Sequence, residues 1–419
     1  MSGSLHALLY LVLAIFAGTG SSNSVPALAG TDNTGFIHGR VTLWSGEQYE
    51  GFIRWDDEEA FWDDLFHSRQ NELPWLEHVD MAELQKERKR RYFESHGMFD
   101  RVMWTLHNRD GELNLSRLFI CQLGYFDGID MDEDENVTIL LRNGEKVPVH
   151  GYSNDVSSDL TIYPVAGEPV EVEWDDLASV AFSQAPRGAV PYAERLYGTV
   201  QSTEGTYAGF IQWDQSECTS IDLLDGDDKE IPMGDLRSVT KNRQGTSDIV
   251  LKNGEEFTLA GTNDVGGGNR GIMVENPEFG RVTIAWKRFQ SITFAEGHGS
   301  GTGRSDFPDI APLQGTVTGT QGETWTGRIV YDLDEAWTRD LFNGAIRDLE
   351  YDIPFGLIGS IEKKDDETCQ VSLVTGRKLD LTENQDTGDK HAGVLVFEKG
   401  EEEPSYIPWS RVGRITFDR

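Results

Sequence analysis

The chain has 419 residues, 72 of them acidic and 37 basic, for a formal charge of −35, with 38% hydrophobic residues and 11 Trp. So acidic a surface repels phosphate backbones and argues against general nucleic-acid binding. The aromatic and aliphatic content argues against disorder, and the length allows two to four domains, each with a core.

In chain order, residues 7–18 form an apolar run of signal-peptide length, too short for a confident membrane span. Small and polar residues follow, and Ala27-Leu28-Ala29 offers a cleavage site before Gly30. This predicts a signal peptide over 1–29 and an exported chain, periplasmic or extracellular. It also predicts no transmembrane segment in the mature chain.

One stretch is then written three times. Gly51-Phe-Ile-Arg-Trp-Asp56-Asp-Glu-Glu59 leads to Asp64-Leu-Phe. Gly209-Phe-Ile-Gln-Trp-Asp214-Gln-Ser-Glu217 leads to Asp222-Leu-Leu, and Gly327-Arg-Ile-Val-Tyr-Asp332-Leu-Asp-Glu335 leads to Asp340-Leu-Phe. The three align without a gap, which marks a triplicated unit. Each copy opens with Gly-x-Val (from Gly39, Gly198 and Gly315) and turns at Gly46, Gly205 or Gly322. Its first half closes on Ile231-Pro-Met-Gly234 or Ile353-Pro-Phe-Gly356, with a looser version between Leu118 and Phe126.

The second half starts with Asn143-Gly144 or Asn253-Gly254 between alternating apolar runs, which predicts type I′ hairpins, and Thr375-Gly376 holds the third place. Asn154-Asp155 and Asn263-Asp264 mark a following loop. Each unit ends on a Trp-to-Phe segment (Trp174 to Phe182, Trp286 to Phe294, Trp409 to Phe417) that reads as a closing strand sealing a core.

The expected fold is therefore all-β: three tandem homologous small-barrel or β-sandwich modules at about 37–182, 195–294 and 313–417. The first carries an insertion at about 67–112, in which Asp80-Met-Ala-Glu83 is a capping box for a helix from Met81. A hairpin is expected after it, with a strand over 101–107 and a turn at Asp110-Gly111. Lys86, Arg88, Lys89, Arg90 and Arg91 make this the densest basic run of the chain and a candidate partner-binding face.

For chemistry, the repeated carboxylates stand out: Asp56, Glu59 and Asp64, then Asp214, Glu217 and Asp222, then Asp332, Glu335 and Asp340. Clustered on a loop they would suit a hard cation such as Ca²⁺; as turn caps they would accept backbone N–H bonds. Asp130, Asp132 and Asp134 start like a calcium loop, but Glu135 and Leu141 occupy the positions where an EF-hand needs Gly and Glu. His67, His78, His96 and His107 match no standard zinc spacing, and three cysteines (Cys121, Cys218, Cys369) cannot close a disulfide framework. Hydrolase and nucleotide-binding signatures such as H-E-x-x-H, G-x-S-x-G and the P-loop are missing.

The run Gly46-x4-Gly51-x-Ile-x-x-Asp56 resembles the first half of an Sm-type small barrel. Its Asp lies one residue short, no second Sm motif follows, and the likeness covers under a quarter of a repeat. It implies a small SH3-like barrel and not the RNA binding of that family. The whole repeat is also similar to uncharacterised repeats of exported bacterial proteins. The function expected is an exported, non-catalytic binding or scaffold protein for a protein or polysaccharide ligand. The alternative is a carboxylate- or metal-dependent hydrolase with its site between the first repeat and its insertion.

Overall fold

Alternation of apolar and polar residues becomes thirty short strands among the described residues of a computed structural model. It describes residues 33–70, 75–80, 82, 84–86, 89–90, 117–132, 136–151, 155–243, 245–382, 386–388 and 390–418. The fold is all-β and antiparallel.

In the first copy the strands are β1 (His38–Leu43), β2 (Gln48–Trp55), β3 (Leu65–Gln70), β4 (Arg117–Gln122), β5 (Phe126–Met131), β6 (Val137–Leu141), β7 (Lys146–Val149), β8 (Leu160–Pro164), β9 (Val170–Val172) and β10 (Leu177–Phe182). Eight of them form a sheet in the order β7-β6-β5-β10-β1-β2-β8-β9, and β3 and β4 form a separate hairpin. The third copy repeats the eight-stranded order from Lys378–Leu381 to Ser405–Ile407. The second repeats it from Glu256–Leu259 to Gly280–Ile284 and then adds two strands, Leu349–Pro354 and Leu341–Ile346. Those two are the third copy's counterpart of β3 and β4. A hairpin of one copy thus extends the sheet of another.

The motif glycine shows why the stretch is so uniform. A Cβ on Gly51, Gly209 or Gly327 would lie 2.3, 2.2 or 2.1 Å from the carbonyl oxygen of Tyr163, Glu275 or Phe397 on the neighbouring strand. Only glycine lets the backbones approach so closely. Four residues on, an aromatic fills each core: Trp55 meets Trp174 edge-on at 6.1 Å, Trp213 meets Trp286 at 5.9 Å, and Tyr331 meets Trp409 at 5.8 Å.

Two local expectations are corrected. The hairpins at Asn143-Gly144, Asn253-Gly254 and Thr375-Gly376 are not type I′, because only the glycines have positive φ (84, 89 and 88°). Leu141, Leu251 and Leu373 each bond the residue four on, giving three-residue loops with a bulge at Gly. Trp174, Trp286 and Trp409 precede the closing strands rather than lying in them. Trp174–Asp176 and Trp409–Arg411 are single 3₁₀ turns, and the final strands start at Leu177, Phe289 and Val412.

The insertion also begins later than expected. Residues 67–70 belong to β3, whose equivalents occur in all copies, so the extra chain lies at the tip of the β3–β4 hairpin, between Gln70 and Arg117. Residues 82, 84–86 and 89–90 are helical, as the capping box predicts, and Asp80 Oδ1 accepts the Ala82 N–H at 2.9 Å. The hairpin expected from 101 through the Asp110-Gly111 turn lies outside the described residues. No helix among the described residues is long and apolar enough to cross a membrane.

Candidate functional site

The repeated stretch closes a tight turn with the same bonds in each copy. Trp55 and Glu59 exchange backbone bonds at 2.8 and 3.1 Å, as do Trp213 with Glu217 and Tyr331 with Glu335. The first motif acid sits in the left-handed region, at φ 50° for Asp56, 50° for Asp214 and 47° for Asp332. Aspartate tolerates that conformation better than most residues. Its carboxylate reaches the segment before β8 or its counterpart, accepting from Ser158 Oγ, Arg270 N or Ala392 N.

The third motif acid is a turn cap in every copy. Asp64 Oδ2 accepts from Ala60 N and Phe61 N, Asp222 Oδ2 from Cys218 N and Thr219 N, and Asp340 Oδ2 from Ala336 N and Trp337 N, all at 2.8–2.9 Å. Asp56 and Asp64 therefore serve separate partners, the Ser158 hydroxyl and the Ala60 and Phe61 N–H groups, and do not converge with Glu59 on one point.

The middle acid behaves differently. Glu59 and Glu335 are buried (4% and 9% exposed) and Glu217 nearly so, and in all three Oε2 has no hydrogen-bond partner among the described residues. Burial, then the neighbouring Asp155, holds the Glu59 carboxyl well above the usual range. Burial and Asp264 push Glu217 up to about 8. Burial, then Asp334 and Asp386, raise Glu335 well above the usual range.

Those second acids were not singled out from the sequence, although Asn154-Asp155 and Asn263-Asp264 mark two of them. Each is fixed at both ends. The carbonyls of Asp155, Asp264 and Asp386 accept from Trp55 Nε1, Trp213 Nε1 and Tyr331 Oη at 2.8, 3.0 and 2.5 Å. Their Oδ2 atoms accept from the backbone N–H of His67, Asp225 and Asn343, at equivalent positions on the hairpin strands, at 2.5, 2.7 and 2.6 Å. In the first copy the position carries His67, whose Nδ1 lies 3.4 Å from Asp155 Oδ2. One ligand atom each from Glu59, His67 and Asp155 lie within 4.8 Å of one another.

Around these turns the first two copies meet face to face. Arg54 pairs with Asp222 at 2.5 Å, and Arg281 pairs with Asp64 at 3.3 Å and Glu275 at 3.1 Å. Arg195 pairs with Asp63 at 2.8 Å, its guanidinium lying over the rings of Phe61 (4.0 Å) and Phe210 (4.2 Å). Three guanidiniums thus face Asp63, Asp64, Asp222 and Glu275, and burial pushes the Glu275 carboxyl up to about 8 and raises that of Asp63 as well. A gap of about 10 Å³, roughly one water, is lined by Asp64, Arg195, Gln212 and Glu275. It is too small for a substrate.

The third copy carries Val330 where the others have Arg54 and Gln212, and Leu395 where they have Thr161 and Met273. Val330, Leu333, Ala336, Ala392 and Leu395 pack against Val79 and Leu84 of the insertion. Trp75 adds an edge contact to Phe397 at 5.8 Å and a face to Arg328 at 4.6 Å. The insertion is a cover for the third copy and not a separable graft.

Of the remaining candidates, Asp130 lies exposed on β5 and Asp132 caps its own turn, accepting from Asn136 N at 3.0 Å; Asp134 is outside the described residues. Lys86, Lys89 and Arg90 lie on the exposed side of the helical segment, and Arg88 and Arg91 are outside the described residues. Cys121, Cys218 and Cys369 are free thiols, all buried.

No protein-family model matches the chain, and no curated protein matches it. Among solved structures it is similar to a streptogramin B lyase, at 11% identity over 70% of this chain and 94% of that one, with a TM-score of 0.13. A likeness at that TM-score carries no argument about fold or activity.

Proposed function

We propose that this is an exported, non-catalytic binding or scaffold protein made of three homologous small-barrel modules, its ligand a protein or polysaccharide. One observation carries the reading. The third motif acid is taken up by local hydrogen bonds in the same way in all three copies, and the faces around these turns are covered by other parts of the chain. A unit retained for that purpose joins modules rather than reacting with a substrate. Recurrence of one strand order supports homologous modules, and the 3₁₀ turn before two of the final strands is in keeping with a small SH3-like barrel. Export rests on the apolar run at 7–18 and Ala27-Leu28-Ala29.

The test pairs binding with turnover. Purified chain, and a variant with Lys86, Lys89 and Arg90 changed to Glu, are presented to glycan arrays and to cross-linked envelope extract from the native host. A defined ligand held by the first and lost by the second supports the reading. Turnover of ester, phosphoester, glycoside or peptide substrates that disappears in Glu59→Gln would sink it. Mass measurement of the mature protein should place its first residue at Gly30.

A further inference from the structure

The three copies differ at one chemically decisive place. We propose that Glu59, His67 and Asp155 form a binding site for a divalent transition-metal ion of the zinc class, present in the first copy alone. This inference does not depend on the scaffold reading.

Geometry comes first. The three ligand atoms lie within 4.8 Å of one another. Around a tetrahedral zinc with ligands at about 2.0–2.2 Å they would be about 3.4 Å apart, so a small inward movement completes the shell. Two of the three are held in place before any ion arrives. Asp155 is fixed by the Trp55 indole and the His67 backbone N–H, and His67 sits on β3. Metal ligands anchored by such outer hydrogen bonds are the usual arrangement.

Glu59 supplies the second, independent observation. It is 4% exposed, its Oε2 has no partner among the described residues, and its carboxyl lies inside the cluster. An unpaired buried oxygen is costly, and a cation placed there satisfies it together with Asp155. The His67 side chain is 37% exposed, so one side of the cluster faces solvent and leaves a position for water.

Ligand type sets the metal. An imidazole beside two carboxylates favours zinc-like ions over Ca²⁺, which takes six to eight oxygens. The other copies are built-in controls: each keeps the Glu and the Asp, but Asp225 or Asn343 replaces His67, and neither forms a three-ligand group among the described residues.

The experiment uses the full chain, stripped by chelator and titrated with Zn²⁺ by calorimetry, with Co²⁺ absorption as a second readout. One equivalent is expected, not displaced by millimolar Ca²⁺. Glu59→Gln and His67→Asn should each weaken it at least tenfold, whereas Glu217→Gln should leave it unchanged. Glu59→Gln removes a buried acid and should keep the fold, as thermal melting will check. Should His67→Asn misfold, the shift of the His67 ring resonances on Zn²⁺ addition to the unaltered chain decides instead. No zinc uptake, zinc binding that survives Glu59→Gln and His67→Asn, or equal loss in Glu217→Gln each overturns the proposal.

Discussion

The face shared by the first two copies and the face of the third begin from the same turn and end in opposite chemistry. Arg54, Arg195 and Arg281 join one by buried ion pairs, whereas Val330, Leu333 and Leu395 close the other against an apolar strap. The turn dictates where a neighbour must sit. Two or three outward-facing side chains decide what kind of neighbour it is. Two such faces satisfy each other, and a third requires an additional element, which the insertion provides.

That contrast can be broken most severely by removing the strap. Joining Gln70 to Arg117 through a short Gly-Ser turn should uncover Val330, Leu333 and Leu395 and give an insoluble or aggregating chain, read by size exclusion. A soluble monomer with unchanged melting would show that the strap is dispensable. An exposed apolar patch of this kind is an aggregation liability.

On the charged side, Asp222→Ala removes a cap and leaves Arg54 buried without its partner, which should cost about 3–5 kcal/mol in urea unfolding. Combining it with Arg54→Met should recover much of that loss, since an apolar pair replaces a stranded charge. If the double variant is as unstable as Asp222→Ala, the cap and not the ion pair dominates. Inside the cores no such contrast is expected. Trp174→Ala, Trp286→Ala and Trp409→Ala should each cost about 3–5 kcal/mol, because the three are 9%, 7% and 1% exposed. A loss below about 0.5 kcal/mol at any one, the scale of ordinary surface changes, would separate that copy from the others.

The buried glutamates give a pH signature. Glu217 titrates at about 8 in the folded chain against an ordinary value of 4.5, and Glu59 and Glu335 are raised in the same direction. The folded state then holds more protons than the unfolded one in this window. Stability falls as pH rises from about 4.5 to about 8, by at most about 1.4 kcal/mol per pH unit for each proton. Glu217→Gln should flatten part of the slope; an unaltered slope would mean that Glu217 ionises normally. Smallest of all, Asp56→Asn keeps a residue suited to positive φ and loses only the Ser158 bond, so it should cost under about 1 kcal/mol. A larger loss would give the Asp56 charge a role beyond the turn.

Much of this was legible because it is local. Positive φ at Asp56, close approach at Gly51 and the bulge at Gly144 are imposed by near neighbours, so they recur in register and the eye finds them. The carboxyl pairs were not legible, because Glu59 and Asp155 lie on segments far apart in the chain that only tertiary contacts, among them the β2–β8 pairing and the Trp55–Asp155 bond, bring together. His67 matches no standard zinc spacing for the same reason, since its partner Asp155 is distant in sequence. A signal for the strap was present and overlooked: between copies Arg54 and Gln212 give way to Val330, and Asp57 and Gln215 to Leu333. Polar-to-apolar change at an outward position announces a covered face.

The hairpin Leu341–Ile346 and Leu349–Pro354 has a consequence for assembly. While still bonded to its own copy at Ala345–Thr382, it completes the sheet of the second through Gly280–Ile284, all five of whose residues are buried. Such an arm is an exchangeable element, since the same strand edge exists on every other molecule. Concentrated, partly unfolded chain should therefore yield domain-swapped dimers in which each third copy completes its partner's second.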